Sequence, residues 1–586
     1  MLHVLDAHRP WNLSNLFATS QANDHIFVWD DGEIEERMQR EREAYEMLEF
    51  DLETDSEDEA ESEEESGVES EPDEGAHAEA TNGHDTSDTH KRKRHDVERP
   101  EKRTRLDGEQ RLAYRALLAR YYARGSWTGM STAQMMYMLA VSLGRSDRDC
   151  LWYAILGLTA QYQANAIQNS TYDTYAAALA SDVAAMNAIG DADGPLDGVN
   201  SHGADDSSVR VVPEELRFVL YRHWSLESSM YHTSYVAAKL GIWRERGLSK
   251  LRGLLAKMGL SLANCRQTYE HMELDLRESL VSRMESIAPE YGLTDLTFRS
   301  FIRSFGFRSM PLSATDTVEG VAALLQAAHG VRIEMDDVAV VRTDPAYLRT
   351  ASGSAGAGPA SSSVSRKLWS LGDVGVQTAA DAENSASAAW VQNFFEGYRA
   401  LDLHRPASIA LLQQSMHLAK ALHQAIIAQG VSIILKQSIK TLRSFRLAIL
   451  QDGPSLALFV QPDTLTRLGF WLIDALRDIV SEQQARRAEA KRARRRNKGE
   501  DDVDYTPTNL PFVLAALDAP RDMFVVVGIV GAPDFGDVSK NRFGLAFQEA
   551  STSTGARMRN DRFESSVLEV HRDDLMEFVE ALHLNA

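Results

Sequence analysis

Apolar runs of strand length punctuate the two ends of the chain, while its middle carries apolar residues almost wholly at helical period. Leu2 to Leu5 reads as a strand ending in Asp6-Ala7-His8-Arg9-Pro10, and Ile26 to Trp29 as a second apolar stretch, so the N-terminus is expected to hold pieces of an α/β domain. Asp31-Gly32 breaks the chain. Glu33 to Glu49 then predicts an exposed helix, with Glu33/Arg37 and Glu36/Arg40 at i,i+4 spacing. Gln110 to Tyr122 resumes the helical period, and Ser131, three residues before Gln134, fits a capping box opening an apolar helix over Met135 to Leu143. Leu151 to Gln163 continues in the same way.

Residues 190 to 208 have linker composition. Pro213 sits where a first-turn proline belongs, and Leu216, Val219, Leu220, His223 and Trp224 trace one face of the helix expected there. From that point to Gln326 nearly every segment has helical period, with turns expected at Gly241, Gly247, Gly259 and Gly292. Trp224, Tyr231, Tyr235 and Trp243 are spaced as core residues of that helical region. Residues 351 to 363 are rich in Gly, Ala and Ser, and a long helical stretch runs from about Pro406 to Lys440. Beyond Ser444 the strand-length runs Phe445 to Leu450, Phe512 to Leu517, Met523 to Val530 and Ser566 to Val570 alternate with helices such as Leu465 to Val480. That is an α/β pattern. The last helix carries Leu575, Phe578, Val579 and Leu582 on one face, as packing on a sheet requires.

With 586 residues, 44 % of them hydrophobic, the chain is long enough for several domains. Cys150 and Cys265 stand far apart without metal-type spacing, so neither a disulfide framework nor a zinc site is implied and a reducing compartment is expected. No signal-peptide pattern occurs, and the longest uncharged apolar run, Met523 to Pro533, is too short to cross a bilayer, so a soluble intracellular protein is expected, without membrane partners. The formal net charge is −24, but fourteen acidic side chains fall in the twenty-four residues Asp51 to Glu74. Such a run has too little apolar surface to fold, so residues 51–108 are expected to be a disordered loop, acidic and then basic. Within it, Ser56, Ser62, Ser66 and Ser70 each have an acidic residue three positions on.

Asp6 and His8 lie just past the carboxyl end of a strand, where open α/β sheets place ligands, and carboxylate with imidazole are plausible metal donors. Two donors do not make a two-metal centre, so the pair reads as vestigial, and no cofactor or catalytic residue is assigned. Lys91, Arg92, Lys93 and Arg94, with Lys102, Arg103 and Arg105, read as a nuclear localisation signal on a flexible tether. Arg486 to Lys498, with eight basic residues in thirteen, reads as an exposed insertion. The helix-surface residues Arg244, Arg246, Lys250 and Arg252 are the candidate partner-binding face.

Several segments, in order, resemble the cell division control protein 45 family: Leu5-Asp6-Ala7-His8-Arg9-Pro10; Val28-Trp29-Asp30-Asp31-Gly32; Trp152 to Thr159; and Tyr221-Arg222-His223-Trp224-Ser225-Leu226. Further pieces are Thr233-Ser234-Tyr235, Met258-Gly259-Leu260, Phe305-Gly306-Phe307, Ser313-Ala314-Thr315-Asp316, Phe543 to Phe547 and Ser553 to Met558. The resemblance implies an α/β fold with an all-α insertion. Its parts are a RecJ-like DHH α/β domain, N-terminally incomplete because strands and an acidic motif that precede Asp6 in the family are not in this sequence, a helical insertion domain, and a C-terminal DHH-associated α/β domain.

On that scheme residues 1–50 are a remnant of the DHH-like domain and 109–189 its helical remainder; 190–210 is a linker and 211–330 the helical insertion. Residues 331–389 are a low-complexity linker, 390–443 connecting helices, and 444–586 the C-terminal domain with a basic insertion at 484–504. The resemblance further implies a nuclear, non-catalytic scaffold subunit of the replicative DNA helicase, with affinity for single-stranded DNA. Its implied partners are the minichromosome maintenance hexamer, the GINS tetramer, initiation loading factors, replicative polymerases and chromatin origins. The alternative it leaves open is an active DHH-type single-strand exonuclease.

Overall fold

The computed structural model describes residues 1–19, 25–50, 106–192, 208–306, 309–331, 333–335, 367–369, 379–453, 455–477, 510–532, 535–560 and 564–585. The acidic block, the basic cluster at 91–105 and the basic run at 486–498 lie outside these residues. The chain divides into two compact units, Met1–Leu5 with Pro10–Arg124, and Asp6–Arg9 with Gly125–Ala586.

In chain order the first unit begins with β1 (Leu2–Val4); β2 (His8–Arg9) belongs to the second unit; α1 (Leu13–Phe17), β3 (Ile26–Val28), α2 (Glu33–Arg37), α3 (39–50) and α4 (Gly108–Tyr122) complete the first. β1 and β3 pair in parallel, Leu2 opposite Ile26, so the two expected strands are neighbours. The single exposed helix expected from Glu33 to Glu49 is interrupted at Met38, whose side chain is buried and whose backbone leaves helical angles (φ −107°). Seating one apolar side chain has overridden a run of good helix formers. α4 opens on a capping box between Asp107 and Gln110.

In the second unit β2 pairs antiparallel with β4 (Trp127–Thr128), and α5 (Thr132–Ser142), α6 (Arg148–Gln163) and α7 (Asn169–Ala192) follow. Ser131 Oγ caps the Gln134 N–H as expected, starting α5 three residues ahead of the apolar run. The helix expected at Pro213 is instead strand β5 (Val209–Leu216). Its β-branched Val209, Val211 and Val212 favour a pleated edge, and Pro213, which has no N–H to offer, falls where the register shifts between Val212 and Glu215. The supposed helical face beyond it is broken at Leu220 (φ 49°), after which Tyr221–His223 forms one 3₁₀ turn.

α8 (Leu226–His232), α9 (Ser234–Leu240), α10 (Glu245–Lys257), α11 (Leu262–Arg266), α12 (Leu274–Glu278) and α13 (Leu280–Ile287) follow, then β6 (Thr297–Arg303), β7 (Leu312–Ser313) and α14 (Ala314–Ala327). β5, β6 and β7 form an antiparallel sheet, so 213–326 is helical only in part; Phe298 and Phe301 stand three apart as in a helix, yet Thr297–Arg303 pairs as strand β6. Gly241, Gly259 and Gly292 take the left-handed turns expected of them. Gly247 does not; it sits inside α10, where a Cβ would approach the Gly241 carbonyl oxygen to 2.1 Å.

β8 (Ile333–Met335) and β9 (Lys367–Trp369) pair with each other, and α15 (Ala379–Ala400) and α16 (Pro406–Leu435) lead into a six-stranded sheet. Its elements are β10 (Lys440–Thr441), β11 (Arg446–Leu450), α17 (Leu456–Phe459), α18 (462–477), β12 (Phe512–Asp518), β13 (Met523–Ile529), α19 (Phe543–Thr554), β14 (Met558–Arg559), β15 (Val567–His571) and α20 (Leu575–Asn585). The strand order is β10-β11-β12-β13-β15-β14, with β11 and β12 parallel and the other pairs antiparallel. Every residue of β12 is buried because both sheet faces are covered: Leu514 and Ala516 join a core with α16 and α18, while Val513 and Ala515 join one with α19 and α20. α16 is long and apolar enough to cross a membrane by length and composition, but Ile409, Leu412, Met416, Leu422 and Ile426 are buried in the first of these cores. Residues 216–296 enclose a separate core around Met230, Val236, Leu251 and Met284.

Candidate functional site

Asp6 and His8 stand at the β2–β4 ladder, His8 opposite Thr128. The Asp6 carboxylate is occupied locally: Oδ1 accepts the His8 backbone N–H at 3.0 Å and faces His8 Nδ1 at 2.7 Å. Burial raises the Asp6 pKa, but the His8 hydrogen bonds and the nearby Arg9 outweigh it and leave the carboxyl below its usual range. Arg9 is buried and donates to the Asp6 and His8 carbonyls at 3.0 and 3.2 Å, fixing the turn. Glu564 is held above the usual range by burial and by Asp463, with His8 opposing. Among the described residues no three His, Cys, Asp or Glu side chains converge in a metal-binding group. The pair is therefore a self-satisfied turn, half exposed at its side chains.

The proposed partner face is resolved residue by residue. Arg244 precedes α10, and Arg246 and Lys250 lie on its exposed side; none of the three has an ion-pair partner among the described residues. Arg252 differs. Its Nε meets Glu227 Oε1 at 2.9 Å, and Arg266 Nε meets Oε2 of the same carboxylate at 2.8 Å, so it serves the fold as well as the surface. Of the aromatic residues expected in the core of the helical region, Tyr235 is buried there, whereas Trp224, Tyr231 and Trp243 are half-buried, Trp224 stacking on His232 with centroids 4.5 Å apart and Trp243 meeting Trp471 edge to face at 6.0 Å.

A buried ionic network, unforeseen from sequence, joins this helical region to α14, α16 and α18. Arg222 binds the Glu215 carboxylate with both terminal nitrogens, and Asp316 Oδ2 lies 3.9 Å from Arg222 Nη1 and 3.5 Å from His223 Nε2. Burial raises the pKa of Glu215, while His223 and Arg222 overcome burial to lower that of Asp316. One helical turn on from Asp316, Glu319 takes His423 Nε2 at 3.0 Å and Arg467, which hold it far below the usual range against burial. Lys420 donates to the His223 carbonyl at 3.0 Å, and burial pushes it down to about 8. Burial likewise pushes His232 and His417 down to about 4. The segments Tyr221–Leu226 and Ser313–Asp316, far apart in sequence, thus meet through side chains. The sequence signal for this was a charged residue on an otherwise apolar helix face, as at Asp316, Glu319 and His423.

The family model described as CDC45 matches residues 1–585. The chain belongs to the CDC45 family. It is similar to Protein TSD2 of Mycosarcoma maydis, 41 % identical over all of this chain and 83 % of that protein, and to the Cell division control protein 45 homolog of Schizosaccharomyces pombe, 33 % identical over 99 % of this chain and 83 % of that protein. A crystal structure of CDC45 from Entamoeba histolytica aligns with a TM-score of 0.49 at 21 % identity, over 78 % of this chain and 72 % of that one. CDC45 membership supports a role in the initiation of DNA replication and in the cell cycle.

Proposed function

We propose that this chain is a non-catalytic scaffold subunit of the nuclear replicative DNA helicase, joining the minichromosome maintenance hexamer to GINS and having affinity for single-stranded DNA. The observation that carries the reading is the CDC45 match over residues 1–585. Supporting it, Asp6 and His8 satisfy each other and gather no further donors among the described residues, whereas a two-metal phosphoesterase needs several converging carboxylates. The layout we propose for the second unit is RecJ-like, with the helical region inserted before α16 and the six-stranded sheet as the DHH-associated domain. Initiation loading factors, replicative polymerases and origin chromatin complete the proposed setting.

The test is paired. The purified chain is mixed with the hexamer and GINS and examined for a stable complex, and separately incubated with end-labelled single-stranded DNA and manganese. Complex formation without cleavage is expected; cleavage abolished by Asp6→Ala would establish the exonuclease instead.

A further inference from the structure

Between β13 and α19, residues 535–541 leave the C-terminal sheet and touch three other parts of the second unit. At the far end the Phe535 ring lies on Tyr235 of α9, centroids 4.3 Å apart. Among the described residues, Phe535 is the one hydrophobic side chain from outside 216–296 in the helical region's core. Tyr235 is itself fixed, since its hydroxyl donates to the Thr294 carbonyl at 2.7 Å and accepts the Thr294 N–H at 3.0 Å. Next to it the Gly536 carbonyl accepts the Asn169 N–H at 3.2 Å. Gly536 has a left-handed backbone (φ +87°), and a Cβ there would come within 2.1 Å of the Asn169 side chain.

The near end is held differently. Asn541 and Ser126 exchange backbone hydrogen bonds of 2.7 and 2.9 Å, and the Asn541 side chain bridges the Gly528 carbonyl and the Phe543 N–H. Lys540 Nζ sits 3.5 Å from the centroid of the Trp127 ring. One end is thus secured by directional hydrogen bonds and the other by a ring contact and one backbone bond. Other side-chain ties of the helical region include α14, through Asp316 to His223 and Arg222, and α16 and α18, through Lys420 to the His223 carbonyl and Trp471 to Trp243.

We propose that residues 535–541 form a strap that fixes the orientation of the helical region 216–296 against the C-terminal sheet, and that the contact of Phe535 with Tyr235 is its release point. Freed there, the helical region keeps its own core and its strands β5 and β6 but loses the brace on α9, which carries α10 and the Arg244, Arg246 and Lys250 face with it. A brace held by a ring contact opens more readily than one held by a ladder of hydrogen bonds, because local opening follows the weakest set of contacts.

Hydrogen–deuterium exchange on the full chain tests this with two variants that lift the same end by different means. Phe535→Ala removes the ring, and Gly536→Ala forces the backbone away from Asn169. Both are expected to speed exchange in α9 and at residues 293–296 at least tenfold while β12 and β13 keep their protection. Lys540→Ala, at the other end, is expected to leave α9 at wild-type rates. The proposal is overturned if either lifting variant leaves α9 unchanged, or if β12 and β13 accelerate to the same degree, which is global loosening rather than release.

Discussion

Asp316 Oδ2 lies 3.5 Å from His223 Nε2, with both side chains withdrawn from solvent. His223 ends the 3₁₀ turn after β5, and Asp316 stands in the first turn of α14, where Ser313 Oγ caps its N–H at 3.1 Å. The contact fastens two segments that carry the family pattern, nearly a hundred residues apart, and Arg222 bound to Glu215 closes it from the other side.

Asp316→Ala should therefore be among the more damaging single changes. It leaves Arg222 with Glu215 alone and His223 facing an empty site, and breaking a buried charge set typically costs about 3–5 kcal/mol. Urea unfolding at pH 7 measures this; a loss under about 1 kcal/mol would show that the network relaxes freely.

Packing gives an independent check at Gly430 on α16, where a Cβ would come within 2.3 Å of the Trp471 ring on α18. Gly430→Ala gains helix propensity but must push α16 from α18, and overpacking of this kind costs roughly 1–3 kcal/mol. A lowered urea midpoint is expected, and a raised one would mean that the helices yield.

Acid should weaken the fold through His232. Burial lowers its folded pKa to about 4, below an unfolded value near 6.5, so the unfolded chain takes up a proton first. Its contribution is fully present above about pH 6.5 and is lost as pH falls toward 4, on the order of 3 kcal/mol across that window. Glu319 takes no part in this loss, because its depressed folded pKa keeps the carboxylate ionised through the same window. His232→Gln should flatten the decline in stability between pH 7 and pH 5, and an unchanged slope would assign the acid sensitivity elsewhere, His417 being the next candidate.

The four candidate surface cations should separate. Arg244→Glu, Arg246→Glu and Lys250→Glu remove no ion pair among the described residues and should stay within about 0.5 kcal/mol of wild type, while lowering co-purification with the hexamer and GINS. Arg252→Glu places a carboxylate against Glu227, whose own pKa is lowered by Arg252 and Arg266 despite burial, and should also lower the melting temperature. Normal assembly by the folded triple variant would remove α10 from the interface.

Much of the fold was legible in the sequence where one local rule acted alone. Ser131 announced α5, the apolar runs at Phe512 and Met523 announced the central strands, and Leu575, Phe578, Val579 and Leu582 announced the helix that packs on them. Legibility failed where two rules competed. Pro213 obeys the first-turn preference of helices and equally the tolerance of a bulged edge strand, and only pairing with β6 decides between them. Gly247 resembles a turn, yet its missing side chain is needed for a close backbone approach within a helix. The ionic network was hidden for a different reason. Glu215, Asp316, Glu319, His423 and Arg467 become partners only once β5, α14, α16 and α18 are packed, and no spacing along the chain encodes that.

We propose that this chain serves replication by binding rather than by chemistry. The most direct measurement is DNA unwinding by the helicase reconstituted with the hexamer and GINS, comparing the wild-type chain with the double variant Asp6→Ala, His8→Ala. Both chains are expected to give a stable three-component assembly and unwinding rates that agree within twofold, since the two side chains are half exposed and satisfy each other. An assembly that forms normally with the double variant but unwinds at a small fraction of the wild-type rate would contradict it.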